Sequence, residues 1–161
     1  MIRTPTPWLI YGSIFLGILF AIIPLPEAVS PARPYLLGML LAYWLMEAPL
    51  RVGLGIAFLA GLLADLTSAS LLGEQALRLV MLAFLVQRFR ARLRFFPLWQ
   101  QAAGVGLLLF NDRLVVALIH LVVGAPQSPL LSWLAPVLAM VLWPWLFVLI
   151  DMVRLRARER N

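Results

Sequence analysis

The chain has 161 residues, 63% hydrophobic and 12% charged, with a formal net charge of +6 and a mean hydropathy of +0.97. A soluble domain is about half apolar and about a quarter charged, so this chain holds more apolar surface than an interior could hide and is read as an all-α integral membrane protein. The absence of cysteine excludes disulfides, iron–sulfur clusters and thiolate chemistry, and the basic charge, all arginine, sits in short blocks beside apolar runs, which fits membrane topology and not nucleic acid.

A transmembrane helix needs about 20 apolar residues. Breaks at proline and at charge clusters give six candidate spans in one membrane domain, residues 1–161. The first runs from Trp8 to Ile23 and is ended by Pro24 and Pro26. The second runs from Tyr35 to Ala48 and stops at Pro49, the third from Val52 to Leu66 and the fourth from Leu71 to Gln87. The fifth follows Pro97, from Leu98 to Val123, and the sixth runs from Leu130 to Val153. Spans two and three are short, which predicts a thinned bilayer or shared flanking residues around them. The first span is flanked by Arg3 and by Ala28-Val29-Ser30, a small-residue run like a signal-peptide cleavage site. Pro31 after that run disfavours cleavage, so an uncleaved helix is expected.

Arginine placement sets the orientation. With six spans, Arg3, Arg51, the block Arg88, Arg90, Arg92 and Arg94, and the tail Arg154, Arg156, Arg158 and Arg160 share one side, whereas only Arg33 falls in an opposite loop. Both termini are therefore expected in the cytoplasm. The basic blocks read first as topological signals and second as contacts for anionic lipid or a cytoplasmic partner. Trp44, Trp99, Trp133, Trp143 and Trp145 fit interfacial anchors, and Pro136 and Pro144 are expected to kink the sixth span.

Charges within the spans need a reason, because each costs about 2.5–3.5 kcal/mol at a helix centre on insertion scales. Gly53, Ala57 and Gly61 recur every four residues, and Asp65 continues the line. Small residues at that spacing let two helices approach closely. Glu74 and Arg78 are an i,i+4 pair on the next helix, and a turn at Thr67–Ser70 would fold both helices into a hairpin that gathers Asp65, Glu74 and Arg78 in the outer leaflet. Either these groups neutralise one another and fix the hairpin, or the glycine-lined face and its acid form a docking or ligand site for which Gly61→Leu would weaken partner assembly. Asp112 and Arg113 are adjacent in the fifth span and so lie about 100° apart on a helix, whereas Arg113 and His120 share a face. A broken or water-exposed helix, pairing with the hairpin cluster, an interior polar pocket and a subunit interface all remain open there. His120 has no cysteine or second histidine to join it as a metal ligand, and no phosphate loop, HExxH, CxxC or GxSxG is present. No catalytic residue, cofactor or metal is expected.

The order of several motifs resembles the MreD family of bacterial rod shape-determining membrane proteins. Pro24 and Pro26 after the first span precede Arg33-Pro34. Tyr43-Trp44 precedes the turn Pro49, Arg51 and Val52. A glycine-rich helix with Gly55, Phe58 and Gly61 ends in Asp65, followed by Ser68, Ser70, Leu72 and Gly73. Leu98-Trp99-Gln100-Gln101 and Leu142-Trp143-Pro144-Trp145 follow downstream. Ala48-Pro49-Leu50-Arg51 departs from the common Leu-Pro-His-Arg, Glu47 is unusual, and Ala69 stands where glycine is common. The resemblance implies a non-enzymatic subunit of the bacterial inner membrane, in the rod complex that builds the lateral wall. The implied partners are MreC, MreB, RodA and a class B penicillin-binding protein, together with membrane lipid. The fold it implies is similar to the six-helix substrate-binding subunits of energy-coupling-factor transporters. A homodimer through Gly53, Ala57 and Gly61 is a further option, and a small-molecule or lipid-binding transporter subunit is the alternative function.

Overall fold

The computed structural model describes residues 7–28, 30–67 and 72–159; of Arg158 and Glu159 it describes only the backbone. Arg3, Val29, Ser68, Ala69, Ser70, Leu71 and Arg160, and the Arg158 side chain, lie outside the described residues. Six α-helices and no strands are present among them: α1 (Pro7–Ile22), α2 (Leu36–Glu47), α3 (Leu54–Thr67), α4 (Glu74–Leu93), α5 (Leu98–Val123) and α6 (Ala135–Glu159), with 3-10 turns at Ser30–Ala32 and Leu130–Leu134.

Local chemistry accounts for the helix ends. Pro7 opens α1, where its missing N–H would have had no helical partner in any case. Pro49 stops α2, because the residue before a proline is pushed out of helical geometry, and Ala48 stands at φ −134°. Pro97 precedes α5, and Gly124 ends it with a left-handed φ of 72°, its N–H donating to the His120 carbonyl. The helix α4 runs six residues past the expected end at Gln87 and takes Arg88, Arg90 and Arg92 into its last turns, where cations favour a helix C-terminus. The helix α6 starts five residues later than expected, after the 3-10 turn, and continues to Glu159. Pro136 lies in its first turn, and Pro144 lies inside the helix.

The helix α2 is the hub. Every residue from Leu37 to Met46 is buried, the pattern of a helix that is apolar on all faces because it is surrounded. The helices α1, α4, α5 and α6 pack against it, and α3 closes the gap between α1 and α4, so that the outer helices follow the sequence α1–α3–α4–α5–α6, the α3–α4 pair most extensively. No extended packing joins α6 back to α1, so the ring has a seam. With 12 residues, α2 is about 18 Å long, well short of a hydrocarbon core of about 30 Å.

Polarity runs inside out relative to a soluble protein. Leu107, Leu121, Val122 and Trp145 are each at least 70% exposed, whereas Asp65, Glu74, Arg78, Gln101 and Asp112 are buried. An exterior of that kind is matched by lipid. Two helical stretches, Leu98–Val123 and Leu130–Ala157, are long and apolar enough to cross a membrane.

The tryptophans divide. Trp99 and Trp145 are exposed, as expected of anchors, and Trp133 is half-buried against Phe110 at a 5.2 Å ring separation. Trp44 and Trp143 are core residues instead. The indole N–H of Trp44 donates to Ser13 Oγ at 2.6 Å, and that of Trp143 donates to Gln101 Oε1 at 3.1 Å. Each partner lets the ring be buried without an unsatisfied donor.

Candidate functional site

Polar side chains gather at the two ends of α2. The first group, at its N-terminal end, is built from the α3–α4 hairpin. Gly73, the residue before α4, has no side chain with which to cap the helix. Asp65, at the end of α3, reaches across and does so. Its carboxylate accepts from the backbone N–H groups of Gly73 (2.9 Å), Gln75 (2.9 Å) and Ala76 (3.3 Å). A buried carboxylate at a helix N-terminus satisfies donors that would otherwise have no partner and complements the helix dipole. Asp65→Asn keeps one acceptor oxygen and loses the charge, and should destabilise the hairpin by about 1–2 kcal/mol. Thermal unfolding of the detergent-purified protein reads this directly, and an unchanged midpoint would remove the cap from the account.

Gly61 lies one turn before Asp65 on the same line. A Cβ there would lie 2.7 Å from both the Ala76 nitrogen and the Gln75 oxygen, in contact with the backbone of α4. The close approach read from the small-residue spacing is thus made inside the chain, at Gly61. Ala57 is likewise buried. Gly53 precedes α3 and has open space around it.

Asp65, Glu74 and Arg78 come to one end of the fold, but they do not neutralise one another. Arg78 forms a two-pronged ion pair with Asp112 of α5, Nη2 to Oδ2 at 2.6 Å and Nε to Oδ1 at 3.1 Å, with both side chains buried. The guanidinium also lies over the Tyr35 ring, 4.3 Å from its centroid, and donates to Gln75 Oε1, which accepts from the Tyr35 hydroxyl at 2.9 Å as well. Of the readings open for Asp112, pairing with the hairpin cluster is the one observed, and α5 is unbroken through it. Glu74 turns to His120, with Oε2 3.4 Å from Nε2. The other ring nitrogen of His120 faces the Pro126 carbonyl at 2.9 Å. A carbonyl only accepts, so that nitrogen is the donor in the contact.

Arg113 points elsewhere. It is half-buried, forms no ion pair among the described residues, and lines a cavity of about 200 Å³ with Arg33, Arg78, Tyr35 and Gln75. Arg33 is held by its Nη1, which donates to the Ala21 and Ile23 carbonyls at the end of α1, and by stacking over Phe20. Desolvation lowers the pKa of Arg33 below its ordinary value.

The second group clamps the C-terminal end of α2. Arg90 Nε donates to the Met46 carbonyl at 2.9 Å, and Arg154 pairs with Glu47 at 2.5 Å and lies 3.7 Å from Asp151. Arg88, Arg92, Arg94 and Arg156 are exposed, and Arg51 sits in the α2–α3 turn. The basic blocks are therefore mixed, with Arg90 and Arg154 holding the fold while their neighbours face outward. The Glu47–Arg154 clamp went unnoticed in the sequence, although Glu47, an acid in the last turn of an apolar helix, was its one visible signal.

The seam was not visible in the sequence either. It is an apolar groove of about 560 Å³, walled by Trp8, Leu9 and Leu16 of α1 and Leu149 and Val153 of α6, with α2 as its floor. Gly12 opens onto it, with nothing within 4 Å of where a Cβ would stand. Among the described residues, no group of three potential metal ligands comes together.

The family model described as "rod shape-determining protein MreD" matches residues 2–153. A curated relative from Haemophilus influenzae, named rod shape-determining protein MreD, is 30% identical over 135 residues, which is 84% of this chain and 83% of the relative. No solved structure matches, so similarity to energy-coupling-factor subunits rests on the sequence resemblance alone.

Proposed function

The chain belongs to the MreD family of rod shape-determining proteins, and from that premise we propose that it is a non-enzymatic scaffold of the rod complex which receives the membrane helix of MreC in the seam between α1 and α6. Through MreC it helps position MreB, RodA and a class B penicillin-binding protein for lateral wall synthesis. In this reading all six helices cross the bacterial cytoplasmic membrane, with both termini and the exposed arginines on the cytoplasmic side.

One observation carries the docking site. The ring around α2 is continuous except at the seam, where an apolar groove is left open beside the small residues Gly12 and Ser13. Within lipid, helices associate through close packing and not through a hydrophobic drive, and small residues at the contact favour that approach. A groove floored by a buried helix and edged by two others offers a single helix three surfaces at once.

Filling the groove tests the proposal. Gly12→Trp adds a large ring at the wall of the groove, and should reduce co-purified MreC at least tenfold from native membranes. Gly55→Trp is the control, since Gly55 is exposed on α3 with equally open surroundings. Equal MreC recovery with both variants would place the partner elsewhere.

A further inference from the structure

Three buried acids near the N-terminal end of α2 have partners of their own, whereas two arginines there have no carboxylate. Asp65 is occupied by three backbone N–H groups, Asp112 by Arg78, and Glu74 by His120. Arg33 and Arg113 have no carboxylate partner among the described residues. Both line the cavity described above, to which Arg78, Ser30, Gln75 and Tyr35 also contribute. Nε and Nη2 of Arg33 are shielded from solvent and have no hydrogen-bond acceptor, although Nη1 is fixed in place by two carbonyls.

Cationic side chains that line a cavity and have no carboxylate partner are what an anion site needs. The cavity far exceeds the roughly 10–15 Å³ that one water requires, so it can admit a tetrahedral oxyanion. A guanidinium presents a planar fork that fits two oxygens of a phosphate, which favours arginine over a point charge for this task. The apolar wall supplied by α1 suits a ligand with one charged end.

We propose that the cavity between Arg33 and Arg113 binds a phosphate group, taken either from a lipid headgroup or from free phosphate. Arg33 supplies one charge from the loop before α2, and Arg113 supplies the second from α5.

The test uses the full chain, purified in detergent and stripped of lipid. It is titrated separately with inorganic phosphate and with phosphatidylglycerol in mixed micelles, with phosphatidylcholine as the uncharged reference. Saturable binding of at least one phosphate probe is expected, weakened tenfold or more by Arg33→Gln and by Arg113→Gln. Arg88→Gln, an exposed arginine in the basic block of α4, should bind as the wild type does. Saturation by phosphatidylglycerol alone assigns a headgroup, and saturation by inorganic phosphate assigns the free ion. Should a glutamine variant fail to fold, lysine at the same position carries the test, with binding about threefold weaker because the fork is lost. Absence of saturation by both probes, or unaltered binding in the variants, overturns the proposal.

Discussion

Gly61→Leu should abolish the stable fold, and even Gly61→Ala should lower stability by about 3 kcal/mol, the upper end of typical overpacking costs. A Cβ at Gly61 meets backbone on α4, at the nitrogen of Ala76 and the oxygen of Gln75, and not the tip of a side chain that could swing away. The two helices would have to separate. The same movement would pull Asp65 from the N–H groups that it caps one turn further on. Thermal unfolding of purified variants is the measurement, with Gly55→Ala as the control in open space. Partner assembly would also fall in the leucine variant, but only because the hairpin is lost. A Gly61→Leu protein with a wild-type midpoint and weakened assembly would instead restore the outward-facing role suggested by the small-residue spacing.

The second large effect concerns Arg78 and Asp112. Asp112→Asn leaves a guanidinium in the bundle interior with its counter-charge gone, and removal of one partner from a buried pair costs about 3–5 kcal/mol. Arg78→Met strands the Asp112 carboxylate in the same way. The double variant Arg78→Met/Asp112→Leu removes both charges and should lie within about 1 kcal/mol of the wild type, because burying the pair already carries a desolvation penalty. Accumulation in membranes and the unfolding midpoint should therefore fall sharply in each single variant and recover in the double. If the double is as damaged as the singles, the pair does more than satisfy itself, and its contacts with Tyr35 and Gln75 become the next place to look.

Much of this organisation could be read in the sequence where one residue decides the local outcome. Pro97 and Gly124 bound α5 at the expected residues, since a proline and a left-handed glycine act on their own neighbours. The four-residue spacing of Gly53, Ala57 and Gly61 announced a close helix contact, and Gly61 makes one. What the spacing could not show was its partner, because a small face serves α4 and a foreign helix equally well. The charges at 65, 74 and 78 were legible as a group, since a hairpin brings them together. Their individual pairings were not. Arg78 prefers an acid 34 residues away to one four residues away, a choice made by the packing of α5 on α4. Trp44 and Trp143 misled for a related reason, as an indole with a buried acceptor is a core residue, and the acceptors Ser13 and Gln101 lie 31 and 42 residues away. The seam had no signature because it is the contact that α1 and α6 do not make.

The clamp at the C-terminal end of α2 bears on how the chain is assembled over time. Glu47 and Arg154 are 107 positions apart, so the acid emerges from the ribosome long before its counter-ion has been synthesised. Until α6 arrives, Glu47 at the end of the buried hub lacks the arginine with which it pairs. The last helix therefore completes the first half of the protein, and a chain interrupted before residue 154 leaves the acid at the end of its hub without a counter-ion.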